Sequence, residues 1–126
     1  MSTQTLLLLC ALHSFGFAAF HIAFWRLFGW PRTLAGTTGP NRAIAQIANL
    51  QLVWVFAAVG LACLLYPDEM TTTGPGRGLL AGMALFWAIR CVAQLVWLRI
   101  NHPMVHVLSA LFALGAVLFA LPLLGS

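Results

Sequence analysis

A chain of 126 residues in which 62% are hydrophobic and only 6% charged cannot clothe a water-facing surface, since soluble domains carry about a quarter charged residues. Six arginines, no lysine, one aspartate and one glutamate give a net charge of +4. The arginines are scattered between hydrocarbon stretches and form no basic stripe, which argues against a nucleic-acid partner and leaves a single membrane-embedded domain over residues 1–126.

The first apolar segment runs from Leu6 to Phe28, close to the ~20 residues that a helix needs to cross a bilayer. Met1 to Thr5 holds no basic side chain and no small-x-small cleavage pattern follows, so the segment reads as a retained span. A loop with Gly29, Pro31, Gly36, Gly39 and Pro40 precedes the second segment, Ala43 to Tyr66, for which Asn41 is the candidate N-cap. Pro67, Asp68, Glu69, Gly74, Pro75 and Gly76 form the next loop, ahead of a third segment from Leu79 to Leu98. The tight turn Arg99-Ile100-Asn101-His102-Pro103 leads into the fourth, Met104 to Leu124, with Pro103 suited to its first turn. Runs such as Leu6 to Leu9 are apolar on every side and lack the alternation of barrel strands. Short connections make sequential helices neighbours, so the expected fold is all-α, an antiparallel up-down four-helix transmembrane bundle.

Arginine placement sets the expected orientation. Arg26, Arg32 and Arg42 flank the first loop and Arg99 the third, while the second has Arg77 and both acids. Loops one and three then face the cytoplasm, both termini lie outside it, and the lipid bilayer is the cell's inner (plasma) membrane. Trp25, Trp30 and Trp97 fall where a cytoplasmic aromatic belt belongs.

On this topology His21, Asn49, Gln51, Arg90, Gln94, His106 and Ser109 all sit about 5 to 12 Å from the cytoplasmic helix ends. Gln46 and Asn49 share a face of the second helix, Trp87, Arg90, Gln94 and Trp97 a stripe of the third, and His102, His106 and Ser109 one of the fourth. Each polar face is expected to turn inward, away from lipid. Interhelical hydrogen bonds are one use for such residues. Small-residue spacings, Gly78-x-x-x-Gly82 among them, are expected to serve packing. Arg90 points further: an arginine in mid-span costs about 2.5 to 3.5 kcal/mol on insertion scales, and its helix has no acid to offset it. A donor-rich pocket of Arg90, Gln94, Gln46, Asn49, His21 and His106 would suit a lipid-like, quinone-like or small anionic ligand.

Two other readings stay open. A structural or accessory subunit would dock through apolar faces carrying Trp54, Phe86 and Phe112, against a second copy or another membrane protein. A redox protein would use histidines: His102 and His106 at i, i+4 with His21 for a transition metal, or His21 with His106 as axial ligands of haem b. The cysteines lie on three helices; Cys10 and Cys63, both near the outer face, could pair or remain buried thiols. Asp68 and Glu69 share one loop, so no paired carboxylates or Ser-His-Asp set can form within the helices, and the chain is not expected to be an enzyme. The small multidrug transporters are similar in size, but their first-helix glutamate has no counterpart here, where His13 and His21 are the only ordinarily titrating groups.

Overall fold

The computed structural model describes residues 1–124, and every regular element in it is helical: α1 (Thr3–Ile22), α2 (Phe24–Leu27), α3 (Gly39–Leu65), α4 (Pro67–Thr72), α5 (Gly74–Trp97) and α6 (Pro103–Leu124), with a single 3-10 turn at Arg32–Leu34. Helices α1, α3, α5 and α6 are 20, 27, 24 and 22 residues long and apolar enough to cross a membrane.

Helix starts depart from expectation wherever proline follows glycine. α3 begins at Gly39 rather than Ala43, and its cap is Thr38, not Asn41: the Asn41 amide donates to Thr38 Oγ1 at 3.4 Å and that of Arg42 to the Thr38 carbonyl at 2.9 Å. α5 begins at Gly74 rather than Leu79, with Thr73 Oγ1 accepting from Gly76 N at 3.1 Å. In both cases a proline in the first turn, preset in φ and needing no N–H partner, starts the helix instead of breaking it. Gly76 is required there, since a Cβ would fall 2.6 Å from Met70 Cα. Pro103 opens α6 as expected. The first span is not one helix: α1 ends at Ile22, Ala23 is a turn, and α2 adds a further turn.

The chain divides into two compact units, residues 11–61 and Met1–Cys10 together with the chain from Ala62 onward. In residues 11–61, α1 and α3 run antiparallel: Phe15 lies against Gly60, the Phe17 and Phe56 rings are 6.1 Å apart, and His21 meets Asn49. Gly60 permits this approach, because a Cβ there would stand 2.9 Å from the Phe15 ring.

In the other unit α5 and α6 form an antiparallel hairpin around Leu80, Met83, Trp87, Phe112, Gly115 and Phe119, all buried. Trp87 and Phe112 stack at 5.6 Å with 17° between ring planes. Pro122 has no N–H for the Leu118 carbonyl four residues back. The Cys10 thiol donates to that oxygen instead, at 3.1 Å. Arg77 spans two helix ends, donating to the Thr71 carbonyl at 3.2 Å and the Leu123 carbonyl at 3.1 Å, as cations favour the negative ends of helices. Cys10, Cys63 and Cys91 are free thiols. Gly78 and Gly82 are exposed with open space where a Cβ would stand, so their spacing does not serve packing within the chain.

Candidate functional site

Of the six residues expected to form one pocket, His21, Gln46 and Asn49 belong to the unit of residues 11–61, and Arg90, Gln94 and His106 to the other. In the first unit the polar side chains serve the helix break. Asn49 is buried, and its Nδ2 donates to the His21 carbonyl at 2.7 Å, where α1 ends and regular helical pairing stops. His21 Nδ1–H turns back to the Phe17 carbonyl at 2.8 Å while its ring stacks on Phe24 at 4.4 Å and lies 5.2 Å from Phe56. Gln46 accepts from Trp25 Nε1–H at 3.1 Å and donates to the Arg42 carbonyl at 3.2 Å. These two amides each donate to a carbonyl of the chain itself, and Asn49 Oδ1 is buried without a hydrogen-bond partner among the described residues. Gln51 is exposed rather than inward.

The α5–α6 hairpin is organised differently. Gln94, only 1% exposed, donates through Nε2 to the Val105 carbonyl at 3.1 Å and to Ser109 Oγ at 3.2 Å, clamping the two helices just above their turn. Its Oε1 is buried and has no hydrogen-bond partner among the described residues. Beside it, Gln94, Arg99, Asn101, His106 and Ser109 line a cleft of about 320 Å³ with Leu95, Leu98, Ile100 and Val105. The structure thus brings Gln94 and His106 together, and adds Arg99 and Asn101 from the turn between the helices. Their signal was present in a turn made of charged and amide side chains directly ahead of a helix face carrying His106 and Ser109.

Arg90 is not part of that lining. It is exposed, with its guanidinium carbon 4.7 Å above the centre of the Phe112 ring, a cation–π contact. The stripe expected to turn inward is split because Trp87 and Gln94, seven residues apart, lie nearly in line and are buried, whereas Arg90 is offset from them by about 50°. Trp97, at the end of the same stripe, is 82% exposed.

The histidine pair His102 and His106 is engaged in the turn. His102 Nδ1 accepts from the Met104 amide at 3.0 Å, as a cap, and His106 Nε2–H donates to Asn101 Oδ1 at 2.8 Å. Among the described residues no three His, Cys, Asp or Glu side chains come together as a metal-ligand group. Phe112, expected on a docking surface, is 3% exposed and belongs to the hairpin core.

Comparison with protein-family models, with curated proteins and with solved structures finds no match to this chain. The chemistry of the hairpin cleft is therefore the basis for a functional reading. It offers an unpartnered acceptor in Gln94 Oε1, a donor in the Arg99 guanidinium, and an apolar surround.

Proposed function

We propose that this chain is a four-helix inner-membrane protein, an up-down bundle with both termini outside the cytoplasm, that binds a lipid-like or quinone-like ligand on its α5–α6 hairpin. The oxygen-bearing head of the ligand enters the cleft at Gln94, one helical turn from Arg90, and its hydrocarbon lies along the apolar residues Leu95, Leu98 and Ile100 beside it. The observation that carries this reading is that Gln94 lines the cleft and its buried Oε1 has no donor among the described residues. A buried acceptor left unpaired costs about 1–3 kcal/mol, and a ligand hydroxyl, of a glycerol head or a quinol, supplies the missing proton. Arg90 adds a guanidinium for a phosphate, carboxylate or carbonyl oxygen, with no Asp or Glu anywhere in residues 74–124 to compete for it. Binding rather than catalysis is the better account, because the only carboxylates, Asp68 and Glu69, stand side by side on α4.

Native mass spectrometry of the protein extracted in mild detergent tests this. Wild type should carry a co-purifying amphiphile that Arg90→Leu and Gln94→Leu lose while remaining folded. An unchanged ligand profile in both variants would overturn the reading.

The exposure of Arg90 favours one second reading, an accessory subunit whose partner supplies a carboxylate to the guanidinium. Native gels then show a complex larger than the chain that Arg90→Leu dissolves. A ligand-free monomer in the wild type counts against it.

A further inference from the structure

The loop between α2 and α3 was informative in sequence only for orientation, yet it is built as a cleft. Pro31, Arg32, Gly39, Arg42, Ala43 and Gln46 line a concavity of about 460 Å³. A sphere of that volume is about 10 Å across, so the two arginines place two positive charges around a space of the size of a compact anion. No Asp or Glu occurs in residues 11–61 to relieve them, and Arg26 adds a third positive charge to the same segment.

The cleft is nonetheless held in shape by contacts that do not use the guanidinium groups. Gly29 takes a left-handed φ of +64° that turns the chain, and Thr33 Oγ1 closes the turn on the Phe28 carbonyl. Trp30 packs edge-on against Trp25 at 6.0 Å, and Trp25 is tied to Gln46, which in turn holds the Arg42 carbonyl. Both guanidinium groups lie next to glycines: Arg32 Nη2 is 3.8 Å, and Arg42 Nη2 3.9 Å, from where a Cβ on Gly29 or Gly39 would stand. Beyond the cleft, α3 continues with exposed Ile44 and Ile47.

We infer that this cleft binds a phosphate group, held between Arg32 and Arg42. Like charges placed around one concavity suit a compact anion with several acceptor oxygens, and arginine is the side chain that meets phosphate with paired donors. The phosphate belongs either to an anionic phospholipid, its chains beside Ile44 and Ile47, or to a soluble phosphate compound. The inference rests on α3 crossing a membrane and not on the hairpin cleft.

The test uses the full chain in neutral detergent. Retention of phosphatidylglycerol and of phosphatidylcholine is read by native mass spectrometry, with and without excess inorganic phosphate. Wild type should retain phosphatidylglycerol or bind inorganic phosphate, and Arg32→Gln and Arg42→Gln should each weaken that binding about tenfold, the loss of one charge-assisted contact. Arg26→Gln, outside the lining, and Arg90→Leu should leave it unchanged. If inorganic phosphate displaces the lipid or binds alone, the group is recognised irrespective of its source; if it does neither, the lipid headgroup is the ligand. Should Arg26→Gln weaken retention as much as Arg42→Gln, or should the Arg32→Gln, Arg42→Gln double variant bind like wild type, the inference is overturned. Arg32→Lys with Arg42→Lys guards against misfolding: it keeps the charge and should retain part of the binding.

Discussion

The helix pair of residues 11–61 and the α5–α6 hairpin carry similar polar side chains and use them for different ends. In the first, Asn49 donates its N–H₂ group to the His21 carbonyl at an interrupted helix, and Gln46 accepts from Trp25 Nε1–H while donating to the Arg42 carbonyl. In the second, both helices are continuous past the clamp and Gln94 joins them near the turn; among the described residues Asn49 Oδ1 and Gln94 Oε1 are both buried without a donor, but Gln94 also lines a cleft with Arg99 and Asn101.

Substitutions can break or sharpen this contrast. The largest effect is expected from Trp87→Ala, which empties the stack on Phe112 and should cost about 3–5 kcal/mol, read as loss of the hairpin's resistance to denaturing detergent. Gly60→Leu follows: its side chain enters the Phe15 ring, and overpacking of this kind costs about 1–3 kcal/mol, seen as a lowered melting temperature. Asn49→Leu and Gln94→Leu each remove interhelical hydrogen bonds, for an expected loss of about 0.6 and at most ~1.7 kcal/mol. The two should differ in where they act. Hydrogen exchange should loosen around Ile22 and Ala23 in Asn49→Leu, and around the Arg99 to His102 turn in Gln94→Leu. Equal protection changes at both places would dissolve the contrast. Thr38→Ala is expected to be smallest, about 0.5–1 kcal/mol from the exposed start of α3.

Four apolar segments were legible in the sequence because hydrocarbon runs of this length have one use in a bilayer. Their ends were less so. Reading Gly39-Pro40 and Gly74-Pro75 as breakers overlooked that Thr38 and Thr73 precede them, making each pair a capped helix start. The break at Ala23 carries no glycine or proline, and depends on Asn49 and on aromatic packing from elsewhere in the chain. Periodicity placed Arg90 with Trp87 and Gln94, but an offset of about 50° on a helix is enough to put a long side chain on the exposed face. Which atoms of Gln94 are engaged and which is left over could not be read from residue types at all, since both ends of an amide look alike in a sequence.

The central claim, that the hairpin cleft binds a ligand through Gln94 while the hydrogen bond from Asn49 to the His21 carbonyl is structural, is tested most directly by ligand retention in a matched set of variants. Wild type, Asn49→Leu and Gln94→Leu, purified identically in mild detergent, are compared by native mass spectrometry. The account predicts that the co-purifying amphiphile persists in Asn49→Leu and is lost in Gln94→Leu. Retention in Gln94→Leu, or its loss in Asn49→Leu alone, would contradict it.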